Sequence, residues 1–136
     1  MNRAPDSTSS EKQHRVTILV VEDEPLMLRL LVKFFSRHGY QVLEAADGEQ
    51  AIEVYRRQKM EIDAVLLDSR LPRSTGADVF ERMKAENPAV KVVMGSGYLE
   101  PQTKTEMTLA GIKRFVNKPY YLDQLLEIFE DLIKHQ

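Results

Sequence analysis

The chain has no cysteine, which excludes disulfides, thiol catalysis and cysteine-ligated metals. It has no basic block, and a net charge of −2 gives its electrostatics nothing to offer a nucleic-acid backbone. No apolar stretch approaches the length of a membrane span. The N-terminus lacks the hydrophobic core of a signal peptide, so the expectation is a cytoplasmic protein with no direct nucleic-acid or membrane contact. Histidine is scarce. His14 lies in a polar N-terminal stretch, His38 at a helix end and His135 beside the C-terminus, so none is placed for a serine-based triad. No internal repeat or low-complexity tract interrupts the pattern.

What is present suits one globular domain. The chain has 136 residues, long enough to bury a core, and 43% apolar with 29% charged residues is ordinary for such a domain. Residues Met1 to about Arg15 are polar, with Pro5, Asp6, Ser7, Thr8, Ser9 and Ser10, and read as a disordered tail. The folded domain is expected over residues 16–136.

From Val16 onward, strand-like and helix-like segments alternate. The strand candidates are Val16–Val21, Gln41–Ala45, Ala64–Leu67, Lys91–Met94 and Ile112–Val116. Pro25 opens a helix in which Met27, Leu30, Leu31, Phe34 and Phe35 recur at helical spacing, and Gly39 stops it. Asp47 with Gln50, and Thr75 with Asp78, resemble caps for the next two helices. A weakly patterned helix covers Thr103–Ala110. Leu122, Leu125, Leu126, Phe129, Leu132 and Ile133 mark a strongly amphipathic last one. Five strands alternating with five helices imply a parallel sheet covered on both faces. The first, third and fourth runs are almost unbroken apolar, as central strands are. The second and fifth are shorter or carry charge, as edge strands do. The expected order is 2-1-3-4-5, that of flavodoxin-like α/β folds.

In such a sheet the carboxyl ends of the strands carry the ligand site. Glu22-Asp23-Glu24 follows the first run, Asp68 ends the third, and Lys118-Pro119 follows the fifth. One acidic residue at a strand end is more often decoration than site. Three carboxylates on adjacent central strands repel one another, and a hard divalent cation such as magnesium relieves that. Asp68 is the candidate nucleophile, able to accept a phosphoryl group as a mixed anhydride, with Lys118 supplying compact positive charge. Taken alone, Lys118 would be a solvated surface lysine, Ser96 in Gly95-Ser96-Gly97-Tyr98 a turn serine, and Phe115 a packing residue on an edge strand.

The joint order of Val20-Val21-Glu22-Asp23-Glu24-Pro25, Leu66-Leu67-Asp68 with Leu71-Pro72 and Gly76, Ser96-Gly97, and Phe115 with Lys118-Pro119 resembles a response-regulator receiver domain over about Val16 to Lys134. The resemblance implies that Asp68 is the phosphoacceptor. It implies Mg2+ bound directly by Asp23 and Asp68, by Glu22 through water, and by the backbone carbonyl of Arg70. Lys118 would contact the phosphoryl group, with Ser96 and Phe115 as a switch pair. The sequence departs from the family pattern at Glu22, where aspartate is usual, at Arg73-Ser74, in place of a glycine-hydrophobic pair, and at Tyr121, where a capping serine or aspartate is frequent.

The expected function is a phosphorylation-controlled switch, not a turnover enzyme, that assists its own phosphorylation and dephosphorylation. The donor would be a sensor histidine kinase or a histidine phosphotransfer protein. The chain stops soon after the last helix, so output is expected through the receiver's own contacts or by onward phosphoryl transfer, from a monomer or a weak phosphorylation-dependent dimer. A phosphohydrolase would need a substrate pocket and a second acid at a suitable spacing after Asp68. A flavin binder would want a Ser/Thr/Gly phosphate loop where Glu22-Asp23-Glu24 stands. A receiver working without phosphorylation would not need the intact acidic, serine and lysine set.

Overall fold

Five apolar runs form one parallel sheet in the computed structural model, which describes residues 15–134. His14, His135 and all of the expected tail except Arg15 lie outside those residues. The strands are β1 (Thr17–Val21), β2 (Gln41–Ala45), β3 (Ala64–Asp68), β4 (Val92–Ser96) and β5 (Arg114–Asn117). The helices between and after them are α1 (Pro25–Arg37), α2 (Gly48–Gln58), α3 (Gly76–Glu86), α4 (Pro101–Ala110) and α5 (Leu122–Lys134). All strand pairs in the sheet are parallel, in the spatial order β2-β1-β3-β4-β5, the order expected from the apolar pattern. A small antiparallel ribbon, Arg70–Leu71 with Ser74–Thr75, lies outside the sheet. Among the described residues no helix is long and apolar enough to cross a membrane.

The strand period of two splits the core in half. Leu19, Val21, Val65, Leu67, Val92 and Met94 face one side and pack on Ile52 and Tyr55 of α2 and on Val79, Phe80 and Met83 of α3. Ile18, Val20, Ala64, Leu66, Val93 and Val116 face the other, against Leu28, Leu31 and Phe35 of α1 and Leu125, Ile128 and Phe129 of α5. Burial on both faces is why the central strands read as unbroken apolar runs.

Helix starts follow local hydrogen bonding. The Asp47 carboxylate accepts from the Gln50 amide at 2.8 Å and Thr75 Oγ1 accepts from the Asp78 amide at 3.1 Å. The return arm of the first box reaches one residue further back, with Gln50 Oε1 accepting from the Ala46 amide at 2.8 Å. Glu24 leaves the acidic group to cap α1, accepting from the Met27 amide at 2.8 Å.

Several boundaries and one helix face differ from the sequence reading. The buried stripe of α1 is Leu28, Leu31 and Phe35, while Leu30 is exposed; the helix has apolar residues on most sides, and the spacing alone did not fix the rotation. β3 runs on to Asp68 because Asp68 still pairs with Gly95 in the ladder, and β4 to Ser96 because Ser96 pairs with Asn117. β5 starts at Arg114, since Gly111 adopts φ 122° and Gly111 and Ile112 turn their amides back to the end of α4. α4 starts at Pro101 and buries no residue fully, which is why its pattern is weak.

The ribbon turns at Arg73, whose φ of 63° is the left-handed region. The loop therefore keeps a glycine-like conformation with an arginine in it. Left-handed geometry costs an L-residue ~1–2 kcal/mol, and glycine's greater chain entropy offsets part of that. Arg73→Gly is expected to stabilise the fold by roughly 0.5–1 kcal/mol, read as a higher urea midpoint at unchanged slope.

Candidate functional site

Strand alternation gathers the site residues. Glu22 continues β1 two residues beyond Val20, Asp68 lies two beyond Leu66, and Lys118 two beyond Val116, so all three take the α1/α5 face at the carboxyl end of the sheet. The Glu22 amide extends the ladder to the Ala45 carbonyl at 3.1 Å, and the Ser69 amide ties the end of β3 to the Gly95 carbonyl at 2.8 Å. The Lys118 amide donates to the Ser96 carbonyl at 2.8 Å, and the Lys118–Pro119 peptide is cis.

Glu22 is 1% exposed and Asp68 3%; Asp23 lies exposed at the mouth. One carboxylate oxygen from each of the three lies within 4.8 Å of the others. The Lys118 ammonium sits 3.0 Å from Asp68 Oδ2 and 3.2 Å from Glu22 Oε1. Asp68 Oδ1 accepts from the Arg70 amide at 3.1 Å, and Glu22 Oε2 from the Glu24 amide at 3.2 Å. Glu22 Oε1 is buried with no directed hydrogen bond; the lysine is close to it but not aligned.

The crowding sets the electrostatics of the site. Burial, then the Asp68 charge, pushes the Glu22 carboxyl above the ordinary range, against the Glu24 amide and Lys118. Burial alone would lower the Lys118 pKa, but the hydrogen bond and charge of Asp68, followed by Glu22, more than offset it and hold the ammonium above its usual value. Three carboxylates facing one lysine, with an orphaned oxygen among them, are the donor set that suits a hard, oxygen-seeking cation.

Ser96 and Phe115 belong to the opposite face. Ser96 continues the Val92–Met94 alternation, and its hydroxyl donates to the Tyr98 carbonyl at 3.2 Å, not to Asp68. Phe115 is partly buried against the α2/α3 core, and the Lys104 ammonium of α4 sits 5.2 Å from its ring centroid. An open cleft of about 410 Å³ above the sheet is lined by Asp23, Asp68, Ser69, Arg70, Gly97, Tyr98 and Lys118. The structure thus brings Glu22, Asp23, Asp68, Arg70 and Lys118 together, and sets Ser96 and Phe115 one layer away. Sequence reasoning missed Tyr120, whose ring lies 5.6 Å from the Lys118 ammonium. The only signal for it was a place two residues after Lys118.

Carboxylates and a lysine, where a flavin or nucleotide binder would carry a glycine-rich phosphate loop, set this doubly wound fold among signalling receivers. The chain belongs to the response regulator receiver domain family of two-component systems, matching the family model over residues 18–130. It is 32% identical to the probable transcriptional regulatory protein TcrX of Mycobacterium tuberculosis, over 82% of this chain and 47% of that one. It is 31% identical to sporulation initiation phosphotransferase F of Bacillus subtilis, over 79% of this chain and 86% of that one. Among solved structures it resembles the receiver domain of sensor histidine kinase PA1611 from Pseudomonas aeruginosa, which holds a magnesium ion in its active-site cleft. The TM-score is 0.78 at 27% identity, covering 88% of this chain and 98% of that one. The chain thus spans less than half of the first relative and most of the other two.

Proposed function

We propose that Asp68 accepts a phosphoryl group from a phosphohistidine of a sensor kinase or phosphotransfer protein, and that the modified receiver signals through a changed protein-binding surface. The observation that carries this reading is the Lys118 ammonium 3.0 Å from Asp68 Oδ2, inside a cluster of three carboxylates. The Asp68 carboxylate attacks phosphorus as the phosphorus–nitrogen bond to histidine breaks and the imidazole keeps the electron pair. Lys118 then follows the charge onto the phosphoryl oxygens. Asp23, Asp68, the Arg70 carbonyl and, through water, Glu22 would hold Mg2+, which supplies charge neutralisation of those same oxygens. The chain is a switch assisting its own phosphorylation and dephosphorylation, and a cytoplasmic location goes with a donor of that kind. Reaction with a small phosphodonor tests the reading: labelling at Asp68 supports it, and an unlabelled chain rejects it.

Magnesium binding is expected to be weak, because the site offers few carboxylates and stays open to water. Asp23→Asn removes a direct ligand while leaving the buried Glu22–Asp68–Lys118 contacts intact, so it should weaken the metal about tenfold, the loss of roughly one charge-assisted contact. Titration followed by calorimetry checks it; equal affinity in both proteins would remove Asp23 from the ligand set.

Signalling needs the far face to respond. Ser96 must leave the Tyr98 carbonyl to reach a phosphoryl oxygen, and Phe115 must leave Lys104 to fill the space that opens. This is a shift between two states set by differential contacts. Beryllofluoride, which mimics the phosphoryl group, is expected to shift amide resonances from Ser96 to Val116 and along Leu122–Phe129. Lys104→Ala removes a contact specific to the resting state and should move the unmodified spectrum part of the way. Shifts confined to the loops at Asp23 and Asp68 would make the domain a phosphoryl carrier with no transmitted change.

A further inference from the structure

Tyr120 has no task in the reading above, yet it occupies the site. Its side chain reaches back over β4: a methyl group at Gly95 would coincide with the Tyr120 hydroxyl and lie 2.7 Å from its Cζ. Gly95 is the ladder neighbour of Asp68 and, alternating from Val93, opens on the same α1/α5 face. The phenol therefore fills the volume a side chain at position 95 would take, beside the carboxylates. Its ring lies 5.6 Å from the Lys118 ammonium, within range of a cation–π contact. Its hydroxyl makes no hydrogen bond among the described residues. Burial, then the charges of Glu22 and Asp68, push its pKa up, so it stays a neutral donor.

On the other side of Lys118, Glu22 Oε1 is buried without a directed hydrogen bond. Among the described residues its close donor is the ammonium, 3.2 Å away, and that ammonium is shared with Asp68. A donor without an acceptor and an acceptor without an aligned donor thus share one pocket. Glu22 Oε1 is the buried member of the two, and a buried acceptor without an aligned donor is costly and is normally satisfied in some working state of the protein. When Asp68 carries a phosphoryl group, the ammonium is drawn to its oxygens and Glu22 Oε1 loses the N–H donor beside it.

We propose that Tyr120 is a positioning residue for Lys118 and Glu22: its ring seats the ammonium, and its hydroxyl becomes the donor to Glu22 Oε1 when the ammonium turns to the phosphoryl group on Asp68. No proton changes owner; the phenol keeps its hydrogen and shares it. The inference rests on the phosphoacceptor reading.

The test measures beryllofluoride affinity in excess magnesium for the parent, Tyr120→Phe, Glu22→Gln and the double variant. Tyr120→Phe keeps the ring and the packing over Gly95, so without beryllofluoride its melting temperature should equal or slightly exceed the parent's. With beryllofluoride it should bind about tenfold more weakly, the loss of one hydrogen bond to a charged group. In the Glu22→Gln background the same change should have at most about a twofold effect, because the coupled partner is already altered. Tyr120→Leu should abolish the ring-current shift of the Lys118 ε-methylene that Tyr120→Phe retains. A parent that binds beryllofluoride no more tightly than Tyr120→Phe would overturn this inference alone, as would an equal loss in both Glu22 backgrounds. An unchanged Lys118 shift in Tyr120→Leu would overturn the seating role. A parent that binds no beryllofluoride at all would overturn the phosphoacceptor reading, and this inference with it.

Discussion

Incubated with acetyl phosphate and magnesium, the parent chain is expected to gain one acid-labile phosphoryl group, and Asp68→Asn none. The effect is all or nothing because only a carboxylate at this position can form the mixed anhydride. Asparagine has nearly the same shape, keeps an oxygen for the Arg70 amide, and lifts the negative charge that crowds Glu22. The fold should therefore survive, and a lost label would reflect lost chemistry. Intact mass before and after acid treatment, with a melting curve for each protein, reads both points. Asp23, Ser69 and Tyr98 also line the cleft, and Ser96 ends the neighbouring strand; a label persisting on any of them in Asp68→Asn would reject the mechanism. Lys118→Ala removes the cation held by both Asp68 and Glu22. It is expected to retain magnesium binding while failing to pass phosphorylation on to Ser96 and Phe115.

The site was legible in the sequence to the extent that it follows strand parity. Val20 to Glu22, Leu66 to Asp68 and Val116 to Lys118 each step two residues along an extended chain, so an apolar strand residue predicts where the next functional side chain points. The five runs and their order were readable for a related reason: double-sided burial leaves unbroken apolar stretches in the centre and charge at the edges. Other features depend on tertiary geometry. The rotation of α1, with Leu28 in and Leu30 out, is chosen by α5 and the sheet, since the helix itself offers apolar residues on several sides. Tyr120 escaped notice because it lies beyond the strand, where alternation no longer fixes direction, and because its partner is the empty space at Gly95. Arg73 stands at a left-handed turn that local preference would give to glycine; the antiparallel pairing of Arg70–Leu71 with Ser74–Thr75 imposes it.

Phosphorylated parent is expected to lose its phosphoryl group at least about tenfold more slowly than an Arg70→Asn/Tyr98→Glu double variant, a difference of ~1.4 kcal/mol in barrier height. Both residues line the cleft that opens on Asp68, and the resemblance to receiver domains places them beside the path of attacking water. The Arg70 guanidinium forms no ion pair among the described residues and is free to cover the anhydride or pair with its oxygens. Tyr98 is 75% exposed, and its carbonyl accepts from the Ser96 hydroxyl; in the proposed switch Ser96 turns to the phosphoryl group, which would release the Tyr98 segment beside it. Neither a guanidinium nor a phenol is a base that activates water near neutral pH, so the pair excludes water without orienting it. Asparagine and glutamate would do the reverse, offering a polar edge and an acceptor to an attacking water. Removing the donor, keeping magnesium in excess and following intact mass with time gives the decay rates directly. A double variant that decays no faster than the parent would mean that Arg70 and Tyr98 face the partner protein and set its choice, leaving the lifetime to the carboxylates and Lys118.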